Sequence, residues 1–135
     1  MIDIQQENEC YDDLINKGFN SYARKNGVEC DYKSFSFVAR ENDKIVGILT
    51  GYSYYGEMHI DNVFILDNYR NKGIGSKLIQ KVEERSRNEH LQNINLCTYE
   101  FQAPEFYKKC GFKIEMIRKN KTNPKLTKYF FIKYL

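Results

Sequence analysis

The chain is poor in the residues that build metal centres and disulfide frameworks. Its 135 residues include two histidines, His59 and His90, and four cysteines without the C-x-x-C spacing of a structural zinc site. We therefore expect no bound metal. Four free thiols are typical of a protein in a reducing compartment, so we expect a cytoplasmic location.

Long apolar runs are also missing. The longest runs contain a handful of residues, whereas a membrane-spanning helix needs about 20. Residues 1–7 lack the basic stretch followed by an apolar one that marks a signal peptide. We expect no membrane partner.

No large excess of charge of either sign is present. Lysine plus arginine number 21 against 18 for aspartate plus glutamate, and a net charge of +3 does not indicate nucleic-acid binding by itself. Residues 116–135 hold six basic and no acidic side chains. A solvated hairpin explains this cluster best, and a nucleic-acid-binding tail with salt-dependent affinity is the weaker alternative. We expect no nucleic-acid partner.

The composition is that of one globular domain spanning residues 1–135. Hydrophobic residues make up 41% of the chain and aromatics 15%, enough for a core of its own. Apolar periodicity predicts a mixed α/β fold in the order β-α-β-β-β-α-β-α-β-β, with a three-stranded antiparallel meander in its first half. The predicted strands are 2–5, 34–40, 44–54, 57–66, 93–99, 112–117 and 128–135, and the predicted helices are 9–26, 75–90 and 103–110.

A glycine-containing loop joins the strand ending near Leu66 to the helix beginning near Gly75. Gly73 and Gly75 lie where the loop enters the helix, so several backbone amides there are expected to point outward at the positive end of the helix dipole. Such a turn suits phosphate or pyrophosphate, and Arg70 and Lys72 add positive charge. A purely structural tight turn is the alternative. Neither the Walker A nor the Rossmann glycine pattern is present.

Three segments together resemble the GNAT family of N-acetyltransferases. The run RNKGIG at residues 70–75 resembles the family's Arg/Gln-x-x-Gly-x-Gly/Ala signature for the acetyl-CoA pyrophosphate. Residues 63–65 resemble the strand that opens its backbone to the pantetheine arm, and APEFYKKCGF at 103–112 resembles the family's A-x-x-F-Y-x-x-x-G-F block. The resemblance covers about residues 35–135. It implies the GNAT fold, a mixed and mostly antiparallel central sheet flanked by helices.

The resemblance also implies acetyl-CoA as co-substrate and direct acetyl transfer to a primary amine of a small molecule or peptide. A backbone amide near Ile65 would stabilise the oxyanion, and Tyr107 would protonate the departing thiolate. For Tyr107, an ordinary core tyrosine is the alternative. Glu100 departs from the family, because many relatives have an asparagine there. The implied acetyl-CoA-binding residues are Val63, Phe64, Ile65, Arg70, Asn71, Lys72, Gly73, Ile74, Gly75, Ser76, Phe106 and Lys109.

The general base is placed on the strand before the loop. Relatives carry a histidine or glutamate at positions that correspond to His59 and Asp61, and strand alternation predicts that residues 59, 61 and 63 share one face. Histidine titrates near neutral pH and suits proton removal from an ammonium, while an aspartate could orient it or hold the amine. Both assignments stay open here.

Two functional alternatives remain beside the enzyme. The first is a catalytically silent GNAT-fold module that binds CoA and acts as a sensor. The second is the nucleic-acid binder described above. Partners are expected to be acetyl-CoA and an amine substrate, with a homodimer left open.

Overall fold

The computed structural model describes all 135 residues, which divide into two compact units, Met1–Asp31 and Tyr32–Leu135. The first unit contains one helix, α1 (Asp12–Lys25). Acidic residues in its first turn and basic residues in its last complement the helix dipole, and Gly27 follows its end at a φ of +72°. The strand predicted over residues 2–5 is wrong, because this segment pairs with no other strand.

The second unit contains six strands and two helices. The predicted bounds of these elements are confirmed to within three residues. The elements are β1 (Lys33–Glu41), β2 (Lys44–Tyr54), β3 (Glu57–Ile65), α2 (Ile74–Asn88), β4 (Asn93–Tyr99), α3 (Pro104–Lys109), β5 (Lys113–Arg118) and β6 (Lys128–Tyr134).

The six strands form one sheet in the order β1-β2-β3-β4-β6-β5. All neighbouring pairs are antiparallel except β3 and β4, which run parallel. The mixed, mostly antiparallel sheet predicted from the sequence is thus confirmed.

The hydrophobic core lies between α2, α3 and one face of this sheet. The apolar stripe of α2 supplies Leu78, Ile79 and Val82, all at most 5% exposed. Residues from the central strands and from α3 complete it: Leu49, Met58, Ile60, Ile94, Leu96, Tyr107, Phe112 and Phe131. We call this the core face of the sheet and the other the open face.

β3 and β4 separate soon after they begin. They pair at only three positions, of which His59 with Asn95 is the last. Residues 60–65 of β3 and 96–99 of β4 therefore face each other without a shared ladder. We call this gap the strand fork.

A bulge in β3 lies at the start of the fork. Thr50 pairs with Asn62 and Gly51 with Ile60, so Asp61 is an extra residue without a partner on β2. A Cβ at Gly51 would lie 2.6 Å from the carbonyl oxygen of His59, and only glycine fits there. The bulge shifts the alternation of side chains in the rest of β3 by one residue.

No helix of the chain is both long and apolar enough to cross a membrane.

Candidate active site

The loop before α2 presents a row of free backbone amides. Gly73 precedes the helix in the left-handed conformation with a φ of +80°, and Asn71 has a φ of +61°. None of the amides of residues 71–76 donates a hydrogen bond to another protein group, whereas Lys77 donates to the Gly73 carbonyl at 3.1 Å. The loop therefore concentrates hydrogen-bond donors at the positive end of a helix of 15 residues.

Side chains at the start of the loop brace it against β3. Arg70 Nε donates to the carbonyl of Ile65 at 3.1 Å, and its Nη1 lies 3.1 Å from Asp67. Lys72 is exposed, with Nζ 5.4 Å from the centre of the Tyr69 ring. The sequence predicted that Arg70 adds positive charge to the loop. The structure shows in addition that Arg70 braces the loop against β3, which the sequence did not predict.

The edge of β3 leads from the fork to this loop. The Leu66 amide donates to the Val46 carbonyl on the β2 side, so alternation turns the backbone groups of Val63 and Ile65 away from β2. The side chains of both residues pack against the core, and that of Phe64 is exposed on the opposite face. Arg70 already binds the Ile65 carbonyl, but the Ile65 amide stays available.

α3 packs against the start of α2. A Cβ at Gly75 would lie 3.0 Å from Cζ of Phe106, so glycine allows this close contact. Ser76 lies within hydrogen-bond reach of Cys110, although burial is the larger effect and raises the pKa of that thiol. Lys109 is exposed on α3. Phe106, Gly75 and Ser76 are therefore brought together, and Ile74 packs on the core beside Gly47.

Tyr107 lies in an aromatic cluster on the core face. Its side chain is 7% exposed, and its ring centre lies 5.1 Å from that of Phe106, 6.0 Å from Phe112 and 5.9 Å from Phe131. Burial, with a smaller effect of Cys110, raises the pKa of Tyr107 to about 12. The phenol therefore keeps its proton at neutral pH, so it could give up a proton in a reaction but could not take one.

His59 lies on the open face at the entrance of the strand fork. Its Nδ1 is 2.8 Å from Oδ1 of Asn95, and its ring centre is 5.1 Å from that of Tyr52. The pKa of the Tyr52 phenol is raised, mainly by burial and also by Tyr54 and Asp61. His59 and Asp61 thus both lie near Tyr52.

The prediction that residues 59, 61 and 63 share one face is wrong. Met58 and Ile60 face the core before the bulge, but Val63 and Ile65 face it afterwards. Val63 therefore lies on the face opposite to His59, and Asp61 is the exposed bulge residue.

Three polar residues beside His59 were missed by the sequence analysis. Asn93 and Asn95 alternate with buried Ile94 and Leu96 on β4, and Asn93 is itself 4% exposed. Glu57 begins β3 and accepts a hydrogen bond from Asn93 Nδ2 at 2.9 Å. The N-I-N-L pattern of residues 93–96 could have indicated them, because two amide side chains on one face of a central strand need polar partners.

A cavity of about 250 Å³ adjoins these residues on the open face. Its lining includes Glu57, Asn95, Cys97 and Phe130. No group of three or more His, Cys, Asp or Glu side chains is arranged to hold a metal ion. Glu115 also lines the cavity, so its lining combines two carboxylates with polar and aromatic side chains.

Comparisons with known proteins agree with this geometry. A family model described as the acetyltransferase (GNAT) family matches residues 4–112. Blasticidin-S acetyltransferase of Streptomyces morookaense is 30% identical over 80 residues, which are 58% of this chain and 59% of that protein. The matched segments span only 55% to 59% of the curated relatives.

Solved structures share this fold. An acetyltransferase from Bacillus cereus ATCC 14579 superposes with a TM-score of 0.81 at 28% identity, covering 99% of this chain and 98% of that one. A structure from Bacillus anthracis str. Ames in complex with acetyl coenzyme A superposes with a TM-score of 0.68 at 21% identity, covering 76% and 62%.

Proposed function

Because the chain belongs to the acetyltransferase (GNAT) family, we propose that it binds acetyl-CoA at the strand fork and transfers the acetyl group to a primary amine. The observation that carries this proposal is that two rows of free backbone groups follow each other without a break. The unpaired edge of β3 at Val63 and Ile65 leads into the six free amides of residues 71–76. A ligand with an extended amide arm and a pyrophosphate matches both surfaces.

The pyrophosphate would bind the loop from Arg70 to Ser76. Free amides at a helix amino terminus favour phosphate oxygens, and Gly73 leaves open space where a side chain would otherwise stand. Lys72 and Lys109 are exposed cations able to contact phosphate, while Phe106 supports the loop through Gly75. The structure from Bacillus anthracis in complex with acetyl coenzyme A supports this choice of ligand.

The reaction needs a base, an oxyanion donor and an acid. His59 takes the proton that the ammonium must lose, and the amine nitrogen then attacks the thioester carbonyl. The Ile65 amide donates to the oxyanion, and the carbon–sulfur bond breaks as the tetrahedral intermediate collapses. As that bond breaks, the nitrogen of the intermediate loses its second proton to solvent, and Tyr107 gives its proton to the departing thiolate and regains one from solvent.

The proposed base and the proposed acid lie on opposite faces of the sheet. His59 and Asp61 lie at the fork with Tyr52 on the open-face side, whereas Tyr107 lies on the core face. The amine would approach from the open face, where the cavity beside Glu57 and Cys97 lies. Asp61, exposed at the bulge, would attract a cationic amine.

A matched pair of glycine variants tests the binding step. Gly73 and Gly56 have φ of +80° and +79°, and a Cβ at either would meet nothing within 4 Å. Gly73→Asp and Gly56→Asp therefore impose the same backbone strain, but only the first places a carboxylate at the loop. Saturation at 100 times the dissociation constant adds about 2.7 kcal/mol of stability, which a melting curve detects easily.

We expect acetyl-CoA to raise the melting temperature of the parent and of Gly56→Asp, and not that of Gly73→Asp. Gly73→Asn keeps the size of the side chain and removes its charge, so it should retain part of the shift. An unchanged shift in Gly73→Asp would mean that acetyl-CoA does not bind at this loop.

The acceptor is tested with a panel of amines. Blasticidin S is included because a relative is named for it. Polyamines, aminoglycosides, amino acids and short peptides with free amino termini complete the panel. A single domain over residues 1–135 and a cytoplasmic location stay predictions beside this proposal, and a homodimer stays open.

A further inference from the structure

A chain of hydrogen bonds runs from the surface to His59 along the open face. Asn93 Nδ2 donates to Glu57 Oε1 at 2.9 Å, and Asn95 Nδ2 donates to Asn93 Oδ1 at 2.9 Å. Asn95 Oδ1 then lies 2.8 Å from His59 Nδ1. We call these four residues the relay. It crosses between β3 and β4 at the first and the last of the three positions where the two strands pair.

The carboxylate at one end sets the direction of every bond in the relay. An ionised carboxylate only accepts hydrogen bonds, so Asn93 must turn its amide nitrogen toward Glu57 and its oxygen toward Asn95. Asn95 must then turn its own nitrogen toward Asn93 and its oxygen toward His59. Because that oxygen only accepts, the proton of the neutral imidazole lies on Nδ1.

We propose that the relay positions His59 as the proton acceptor of the acetyl transfer, with the proton on Nδ1 and the lone pair of Nε2 free. This inference rests on the proposed function and names three positioning residues that act through the histidine: Glu57, Asn93 and Asn95. In this arrangement Nε2 receives the proton of the ammonium, directly or through one water, and the amine nitrogen keeps the electron pair that attacks the thioester.

Burial of Asn93, one of the two inner members, makes the relay rigid. Asn93 is 4% exposed, so losing a partner would leave a buried amide unsatisfied. The ionisable group beside His59 is Tyr52 on β2, and Asp61 on β3 and Cys97 on β4 both lie near Tyr52. None of them occupies Nδ1, which the relay alone contacts.

Nitrogen NMR of the uncomplexed protein tests the tautomer without any substrate. The chain has two histidines, and His90 lies exposed after α2, outside the relay, as an internal reference. At a pH where both rings are neutral, we expect His59 to show a protonated Nδ1 and an unprotonated Nε2. His90 should show the ordinary mixture of tautomers. A predominant Nε2–H form of His59 would overturn the proposal.

Three variants link the tautomer to catalysis. Asn95→Leu removes the acceptor and should return His59 to a mixture, with kcat/KM lowered about 10- to 100-fold, the range for loss of a partner that orients a histidine. Glu57→Gln changes the size of the side chain very little, but its amide can donate as well as accept hydrogen bonds. The direction of the relay is then no longer fixed, so His59 should again show a mixture of tautomers. The control for the tautomer is Asn62→Leu. Asn62 also lies on the open face, but its amide donates to Thr50 and does not contact the relay.

Asn95→Asp tests whether His59 is the base. If the neutral imidazole accepts the proton, kcat/KM rises with pH as His59 is deprotonated. An aspartate still accepts from Nδ1, so it should preserve the tautomer, and its negative charge should move this rise of kcat/KM to higher pH. A rise that stays in place would mean that kcat/KM does not follow His59, and the role of His59 as proton acceptor would be overturned.

The results separate this inference from the proposed function. If the parent acetylates an amine but Asn95→Leu and Glu57→Gln keep kcat/KM within twofold, the positioning role is overturned and the acetyltransferase stands. If the parent acetylates no amine, the proposed function and the base role of His59 fall together, while the NMR result still decides the direction of the hydrogen bonds.

Discussion

Tyr107 has an observed packing role and a proposed chemical one. Its ring fills the core between Phe106, Phe112 and Phe131, and burial keeps the phenol protonated. From the sequence, the resemblance of FYKKCGF to the family block favours the acid role for Tyr107, with an ordinary core tyrosine as the alternative. The structure shows that the packing role is real, and it leaves the hydroxyl as the part that catalysis can use.

Tyr107→Phe tests that hydroxyl directly. The variant keeps the ring and its contacts, so its melting temperature and its acetyl-CoA shift should stay near those of the parent. Turnover should fall roughly 10- to 1000-fold, the scale of general-acid effects. Steady-state kinetics with any active amine measures this, and turnover within twofold of the parent would leave Tyr107 as a packing residue only.

The bulge explains the one error in the placement of site residues. Strict alternation from His59 to Val63 assumes a regular ladder, but the extra residue at Asp61 reverses the facing of everything after it. Gly51 was the visible sign of this irregularity, because glycine within a strand often marks a close backbone approach. Its partner in the bulge lies on another strand, so the sequence of β3 alone could not reveal it.

At the scale of elements, one lysine ties together β6, α2 and the end of α3. Lys133 Nζ lies 2.9 Å from Glu83 Oε2 and donates to the Cys110 carbonyl at 3.1 Å. Both side chains of the ion pair are 23% exposed. The hydrogen bond from Lys133 is the main reason that the pKa of Glu83 is lowered, with Arg87 contributing and burial opposing. This contact holds the segment that follows Tyr107.

Lys133→Met should reduce the free energy of unfolding by about 1–3 kcal/mol, because it leaves two partly buried acceptors without their donor. Since the folded state lowers the pKa of Glu83, its contribution is complete above the ordinary glutamate pKa and is lost as pH falls through the lower folded value. The difference between parent and variant should therefore shrink in acid. Urea unfolding at neutral and acidic pH measures both effects.

Lys108→Met is the matched control for this change. Lys108 pairs with Glu105 at 2.9 Å, but the two side chains are 42% and 75% exposed. Its removal should cost no more than about 0.5 kcal/mol. Equal and small costs for the two variants would mean that Lys133 does not hold α3 in place.

Element by element, periodicity predicted nearly all of the second unit. In each of its strands and helices, apolar residues recur with the period of that element. The sequence of each element was therefore enough to predict its type and approximate bounds. The separation of β3 from β4 is a relation between two strands distant in the chain, and only the family resemblance indicated it. The strand expected over residues 2–5 failed for a related reason, because a short extended segment needs a pairing partner that its own sequence does not specify.

At the scale of the whole molecule, the basic segment 116–135 forms the end of β5, the connection after it and β6. Its basic residues are divided between the strands and that connection, which holds Lys119, Lys121 and Lys125. Lys128 and Arg118 lie on β6 and β5, with their charged groups 5.0 and 5.1 Å from the centre of the Phe130 ring. These cations therefore stack on an aromatic side chain, and they do not form a detached basic arm. The arrangement supports the solvated hairpin proposed from the sequence over a nucleic-acid-binding tail.

The central claim concerns the whole molecule, because it needs the loop, the fork and both faces of the sheet together. The measurement that tests it most directly is release of free CoA thiol from acetyl-CoA with each amine of the panel, combined with mass spectrometry of the amine. We expect at least one amine to raise thiol release above the rate without amine, with a product heavier by one acetyl group per thiol, and we expect Gly73→Asp to abolish both signals. If acetyl-CoA raises the melting temperature but no amine in the panel raises thiol release, the chain is a silent CoA-binding module and the proposed activity is contradicted.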